Sequence, residues 1–470
     1  MSNPATGENS APIIKGSRIL SEAFMADDKH IIPRQAVLCG RSLLPRGSGP
    51  VLDERPAGSF LYHLSRGKKI SVKTHDISGM CEFQTLYEAY LEARKGKRSK
   101  PGTAQYEANA LICTDKLSYV LNQKTYKPSG FEVFYVYEPK KRLVQAPAFV
   151  DKVVLHALTD NVLYDTICTS FIRDNHASQR GKGTLDAIVR LKGHMVDYYR
   201  KNGNADGWVL KCDVHHFFAS IDHDILKAKL RALMQKRGVD MAFYDLMCIY
   251  IDKTDGLPLG YQTSQLLALM FLDEFDHYIK EDRGCHYYGR YMDDFYVIAR
   301  TKRELQLLLK DIERWMSDLH LELNSKTAIF PLKNGLDFLG FHSYLTESGA
   351  CVQKLRRSEI QRIQTRVKYW EKAYPAGEVT REAVITSFVA WDAFASYGDT
   401  YALRLKYAKK VSVIIGVDVK PRRKINSTRS VRALRRVKQE QNIRRKRGDI
   451  TPRKDLFQPE PRPDSIPPWM

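Results

Sequence analysis

Residues 290–299 read RYMDDFYVIA, two adjacent aspartates between an aromatic start and an apolar run. Adjacent carboxylates repel, and ionising both without a cation raises at least one pKa. Tyr291 before the pair and Phe-Tyr-Val-Ile after it favour strands, so Asp293 and Asp294 read as a strand-turn-strand junction. Such a pair alone reads as a solvated hairpin turn. A third aspartate changes that reading, because Asp213 closes the apolar run WVLKC and sits on a strand of its own. Strand-borne carboxylates placed side by side form an oxygen-rich site, and Mg²⁺ prefers such hard ligands alongside waters and substrate phosphates. Two such ions about 3.5–4 Å apart activate an attacking 3′-hydroxyl and stabilise a departing pyrophosphate. The chemistry this set suits is nucleotidyl transfer.

The charge balance points the same way. The 470 residues carry 75 Lys+Arg against 54 Asp+Glu, a net charge of +21. That excess favours a polyanionic partner, nucleic acid ahead of an anionic membrane surface. A 43% hydrophobic and 27% charged composition is ordinary for a soluble globular protein, with enough length for one large or two to three ordinary domains. The eight cysteines are scattered singly with no C-x-x-C pair, which argues against a zinc ribbon and a disulfide framework and for a reduced, cytoplasmic setting. MSNPATGENSAPIIKGSRIL lacks a basic start followed by an apolar run, and no stretch reaches the roughly 18 apolar residues of a membrane span. No signal peptide and no membrane partner are expected.

Residues 1–82 give only short strand-like pieces and read as an N-terminal extension. From Phe83, FQTLYEAYLEA has helical spacing; FEVFYVYEPKKRLVQAP then reads as a hairpin around Glu138-Pro139, and VDKVVLHALTDNVLYDTI returns to helix. GWVLKCDVHHFFA (207–219) reads as a buried strand running to its paired phenylalanines. In SIDHDILKAKLRALMQKRG, Leu226, Leu230 and Leu233 share a helical face and Gly238 is the stop. TKRELQLLLKDIERWMSDL opens on a capping box, Thr301 to Glu304. Helices and antiparallel strands intermingle, which is an α+β pattern. The chain is mainly helical after about residue 355, and residues 420–454 hold 15 Lys/Arg against two acids, more than half the net charge. Residues 419–470 read as a basic, Pro-rich tail, expected to be disordered and to bind RNA through phosphates.

The order of motifs resembles a family. DVHHFFASID (213–222), GLPLGYQTSQLLALMFLDEFD (256–276), YMDDF (291–295), LELNSKT (321–327) and LDFLGFH (336–342) follow the sequence of reverse-transcriptase palm motifs. YEPKKRLV (137–144) and NHASQRGKGT (175–184) resemble the fingers motifs. Together with LPLGYQTSQ and SFVAWDAFASYGDT (387–400), they make the chain similar to prokaryotic enzymes of the diversity-generating retroelement lineage and to related phage-defence reverse transcriptases.

The resemblance implies a right-hand polymerase with fingers at 83–205, palm at 206–345 and a helical thumb at 346–418. It implies RNA-directed DNA synthesis with two Mg²⁺ ions, Mn²⁺ substituting, held by Asp213, Asp293, Asp294 and the Val214 carbonyl. Partners would be a structured non-coding RNA template supplied in trans, the DNA product, deoxynucleoside triphosphates and, in the diversity-generating case, a small basic accessory protein. Phe218 takes the place of the family's steric gate against a ribose 2′-hydroxyl, with Phe217 left to packing. Lys140, Lys141 and Arg142 resemble the residues that clasp the incoming triphosphate, for which a guanidinium fork is well shaped.

Arg180 and Ser264 are candidate template contacts, Gln265 a nucleotide-side contact, and Lys326 the lysine able to protonate pyrophosphate. Leu339 and Gly340 fall in the primer grip. Leu259 and Gly260 begin the loop beneath the nascent base pair, where many members carry glutamine in place of Leu259. An aliphatic side chain cannot make that hydrogen bond, which suggests low fidelity. His215 and His216 lack a partner at ligand spacing and are set aside. An antiphage enzyme acting on a non-coding RNA is the alternative within the same chemistry. A catalytically silent RNA-binding scaffold is the alternative of another class, and the retained Asp213/Asp293/Asp294 set argues against it.

Overall fold

In the computed structural model, the structure describes residues 76–137 and 141–422. Most of the N-terminal extension, Lys140 and the tail from residue 423 lie outside the described residues. The chain divides into two compact units. Of the described residues, the larger holds those up to 362 together with 393–404 and 422, and the smaller holds 363–392 and 405–421.

At the centre of the larger unit is a four-stranded antiparallel sheet. The first hairpin in the chain, β1 (Phe131–Val136) and β2 (Arg142–Pro147), stands apart from it as a two-stranded sheet. The central sheet comprises β3 (Trp208–Asp213), β4 (Tyr287–Tyr291), β5 (Asp294–Ala299) and β6 (Ala328–Pro331), in the order β4-β5-β3-β6. A third sheet, β7 (Leu336–Phe338), β8 (Phe341–Leu345) and β9 (Cys351–Leu355), is also antiparallel. Helices and antiparallel strands mix along the chain as the α+β reading expects.

The period-two alternation of β3 and β5 divides two cores. Leu210, Cys212, Phe295 and Val297 enter the main core, which also takes Leu226, Leu230, Met247, Leu267, Leu305 and Ile312. Val209, Tyr296 and Ile298 enter a second cluster with Ala187, Leu191 and Met195 of the helix Thr184–Asn202. Both broad faces of the sheet are therefore buried along most of its length.

Local signals explain the helices that cover it. Helix Lys302–Asp318 carries the expected capping box and buries Leu305, Leu308, Ile312 and Met316 at helical spacing. Helix His223–Lys236 is capped by Asp222, whose carboxylate accepts from the Asp224 and Ile225 amides at 2.9 and 3.0 Å. It buries Leu226, Leu230 and Met234, and Leu233, expected on that face, is only partly buried. Strand β3 stops at Asp213 rather than at the phenylalanines, because a single bridge from Val214 to Leu323 follows and His216 turns left-handed at φ 45°. The smaller unit buries Val367, Trp370, Val384, Phe388, Tyr407 and Val411, with Trp391 edge-on to Tyr407 at 5.5 Å.

Candidate active site

Residues paired across antiparallel strands share a face, and the register sets Asp213 opposite Asp294, Lys211 opposite Tyr296 and Val209 opposite Ile298. One face of the β3–β5 pair thus changes character along its length. Its far end is apolar and buried, and its near end presents Lys211, Asp213 and Asp294. Asp293 joins them from the two-residue turn, since Tyr291 pairs directly with Asp294 and only Met292 and Asp293 lie between β4 and β5. Met292 takes φ 57°, a left-handed conformation that costs a residue with a Cβ. The Val214 amide donates to the Asp293 carbonyl at 3.3 Å and the Asn324 amide to the Asp213 carbonyl at 2.7 Å, so the backbones of the carboxylate residues are tied together.

Burial pushes the Asp293 carboxyl up, and the Asp213 charge pushes it further, while Lys211 and Arg142 pull the other way. Lys211 forms an ion pair with Asp294 and sits over the Phe338 ring at 5.0 Å. Burial pulls its ammonium down to about 8. Among the described residues no three His, Cys, Asp or Glu side chains converge at ligating distance. The donor set still fits a hard divalent cation. Asp213 and Asp293 are neighbouring half-buried carboxylates whose mutual repulsion a cation would relieve. Asp294 is engaged by Lys211 instead, and Val214, in the bridge beside Asp213, is buried. His215 and His216 are exposed and pack against each other, ring centroids 4.1 Å apart.

The remaining predicted residues lie on surrounding elements. Phe217 is buried and Phe218 half-buried, their rings edge to face at 5.7 Å. The Phe218 carbonyl accepts from the Leu257 amide at 2.7 Å, which ties this turn to the 256–260 loop. In that loop Leu259 is exposed, and a Cβ on Gly260 would stand 2.2 Å from the Gln145 carbonyl of β2. Arg142 begins β2 and is exposed, and Lys141 lays its ammonium over Tyr135 at 4.4 Å.

Arg180 stacks on Tyr164 at 4.2 Å with its guanidinium mostly exposed. Gln265 is held by a hydrogen bond from the Ser178 hydroxyl. Ser264 is the third residue of the helix Gln262–Phe271, and it is buried. Lys326 is exposed in the turn before β6, its amide bound to the Asn324 side chain at 3.1 Å. Leu339 and Gly340 form the two-residue β7–β8 turn, with φ 48° and 84°.

Two features were missed from sequence. Lys211 stands two residues before Asp213, and the period of a strand already puts the two on one face. Arg290, inside the opening stretch, falls on the opposite, apolar face and is fully buried against Asp276.

A family described as reverse transcriptase (RNA-dependent DNA polymerase) matches residues 129–343. The Putative COX1/OXI3 intron 2 protein of Saccharomyces cerevisiae is 23% identical, the match covering 46% of this chain and 26% of that protein. Protein YkfC of Escherichia coli is 26% identical, covering 44% of this chain and 65% of that protein. The chain thus spans about a quarter of one relative and just under two thirds of the other. Among solved structures, telomerase from Candida albicans in complex with a fragment of telomeric RNA is 10% identical, with a TM-score of 0.40 over 65% of this chain and 64% of that one. Apo telomerase from Candida tropicalis is 11% identical, with a TM-score of 0.39 over 61% and 62%. Residues 129–343 carry a reverse-transcriptase domain.

Proposed function

We propose that the chain is an RNA-directed DNA polymerase that copies a dedicated structured RNA, supplied in trans, into DNA. The observation that carries this reading is the cross-strand pairing of Asp213 with Asp294, with Asp293 in the adjoining turn, inside the reverse-transcriptase domain. Two bound divalent ions, Mg²⁺ or Mn²⁺, would favour ionisation of a primer 3′-hydroxyl and offset charge on the leaving pyrophosphate. Asp213 and Asp293 hold that charge in place, and Lys211 anchors Asp294. Arg142 on the free hairpin takes the triphosphate, Phe218 bars a 2′-hydroxyl, and Lys326 can deliver a proton to pyrophosphate.

Leu259 supports a further element of the proposal. It stands exposed in the loop beside β2 and offers no hydrogen bond to a nucleotide sugar, in keeping with the low fidelity of a diversity-generating retroelement enzyme. Antiphage defence with a non-coding RNA is the other biological setting for the same chemistry, and sequencing the RNA that co-purifies and the DNA made from it separates the two.

The test of catalysis is primer extension on poly(rA)/oligo(dT). The parent should extend with Mg²⁺ or Mn²⁺, and Asp293→Asn should lose at least about 10²–10³-fold while remaining folded. A parent inactive with either ion on every template would overturn the reading in favour of an RNA-binding scaffold.

A further inference from the structure

Strand alternation places Arg290 on the wrong side of the sheet for a charge. It pairs with Phe295 and faces the main core beside Phe275, Tyr288 and Phe295, and neither it nor Asp276 is exposed at all. A charge taken out of water needs partners for its whole fork. Arg290 Nε and Nη2 donate to the two Asp276 oxygens at 2.6 and 2.5 Å, and Nη2 also donates to the Leu269 carbonyl at 3.2 Å. Asp276 is held in turn by the Tyr288 hydroxyl at 2.5 Å and the Asn175 amide at 3.3 Å. One arm is left for the catalytic turn: Nη1 donates to the Met292 carbonyl at 2.8 Å.

Stability alone does not call for this arrangement, because buried ion pairs can often be replaced by apolar residues of similar volume without loss. The bond to Met292 is what an apolar pair cannot supply. The Met292 carbonyl belongs to the peptide plane that leads into Asp293, at the one residue of the turn with a left-handed backbone. Fixing that plane fixes where the next Cα–Cβ bond points.

We infer that Arg290, clamped by Asp276, is a positioning residue that holds the strained Met292–Asp293 peptide and so aims the Asp293 carboxylate toward Asp213. The inference rests on the polymerase reading for its consequence, though not for its geometry. A lysine could serve Asp276 or Met292 but not both, since only the guanidinium fork reaches two partners from one plane.

The experiment compares the parent with Arg290→Lys and with a triple variant, Arg290→Met, Asp276→Leu and Tyr288→Phe. The last substitution removes the phenol that the loss of Asp276 would strand. Single-turnover primer extension, template-primer binding by fluorescence anisotropy, thermal melting and amide hydrogen exchange over residues 291–295 are measured together. The expected result for the triple variant is a fold that melts cooperatively, template-primer affinity within about twofold, faster exchange over 291–295 and a turnover rate reduced roughly 10²-fold, as a misaimed reacting group produces. Arg290→Lys should fall between, and it carries the test if the triple variant does not fold. A folded variant with parental turnover and parental exchange would overturn the inference. If the parent extends no template, the polymerase reading fails, while exchange over 291–295 still decides whether Arg290 holds the turn.

Discussion

Two hairpins of the larger unit share a strand pattern and differ in nearly everything that restrains them. The β4–β5 hairpin closes in two residues, is buried on both faces and is pinned from below by Arg290. Among the described residues the β1–β2 hairpin pairs only with itself, and Val133, Phe134, Tyr135, Val136 and Leu143 stand exposed along it. The first carries the carboxylates and the second carries Lys141 and Arg142. On the proposed reading the acids share cations and need fixed geometry, because misplacement by an ångström is costly. The basic residues proposed to meet an arriving triphosphate can sit on an arm with few tertiary restraints. Rigidity is spent where charges of one sign have to be held together.

The largest effect that would break this contrast is on stability. Phe295→Ala, in the buried hairpin and packed on Phe275 at 5.4 Å, should cost about 3–5 kcal/mol in a denaturant titration. The same change at exposed Phe134 should stay within about 0.5 kcal/mol. Equal losses would mean that the first hairpin is not a free arm. Next comes Arg142→Ala, which on the proposed clasp removes a charge-assisted contact worth about 1.5–3 kcal/mol and should raise the apparent KM for deoxynucleotides about ten- to hundredfold with melting unchanged. An unaltered KM would take Arg142 out of the clasp.

The fold was legible wherever one local rule decided it. The capping box at Thr301 and the FEVFYVY hairpin follow from turn chemistry and periodicity, and β3 was visible as the apolar run WVLKC, although the reading carried it past Asp213 to the phenylalanines. What escaped depended on pairing register, which no single segment contains. That Asp213 faces Asp294 while Lys211 reaches the same aspartate from two residues earlier is a property of two strands together. Arg290 was hidden for the same reason, as its partner Asp276 lies on a helix fourteen residues upstream. Ser264, expected at the template, lies inside the helix that begins at Gln262 and is buried, which its position in the sequence alone does not reveal.

Smaller effects probe how the free arm is rooted. Gly260 lies so close to the Gln145 carbonyl that a methyl group has no room, and the obstacle is backbone that cannot swing aside. Gly260→Ala should therefore cost about 1–3 kcal/mol by overpacking and weaken nucleotide binding through β2, read by melting and by KM. A neutral result would show that the root of the hairpin yields.

The finest test concerns the neighbouring side chain. Leu259 lies between Pro258 and this immovable glycine, so a substitute there inherits a fixed direction. A glutamine adds one neutral hydrogen bond of about 0.5–1.5 kcal/mol, available only when the nucleotide sugar sits correctly. Leu259→Gln should then lower misincorporation by roughly two- to tenfold, with the rate of correct addition little changed. Sequencing the DNA made by both enzymes on one RNA measures this directly. Identical error spectra would move the source of selectivity away from the 256–260 loop and toward the unrestrained hairpin.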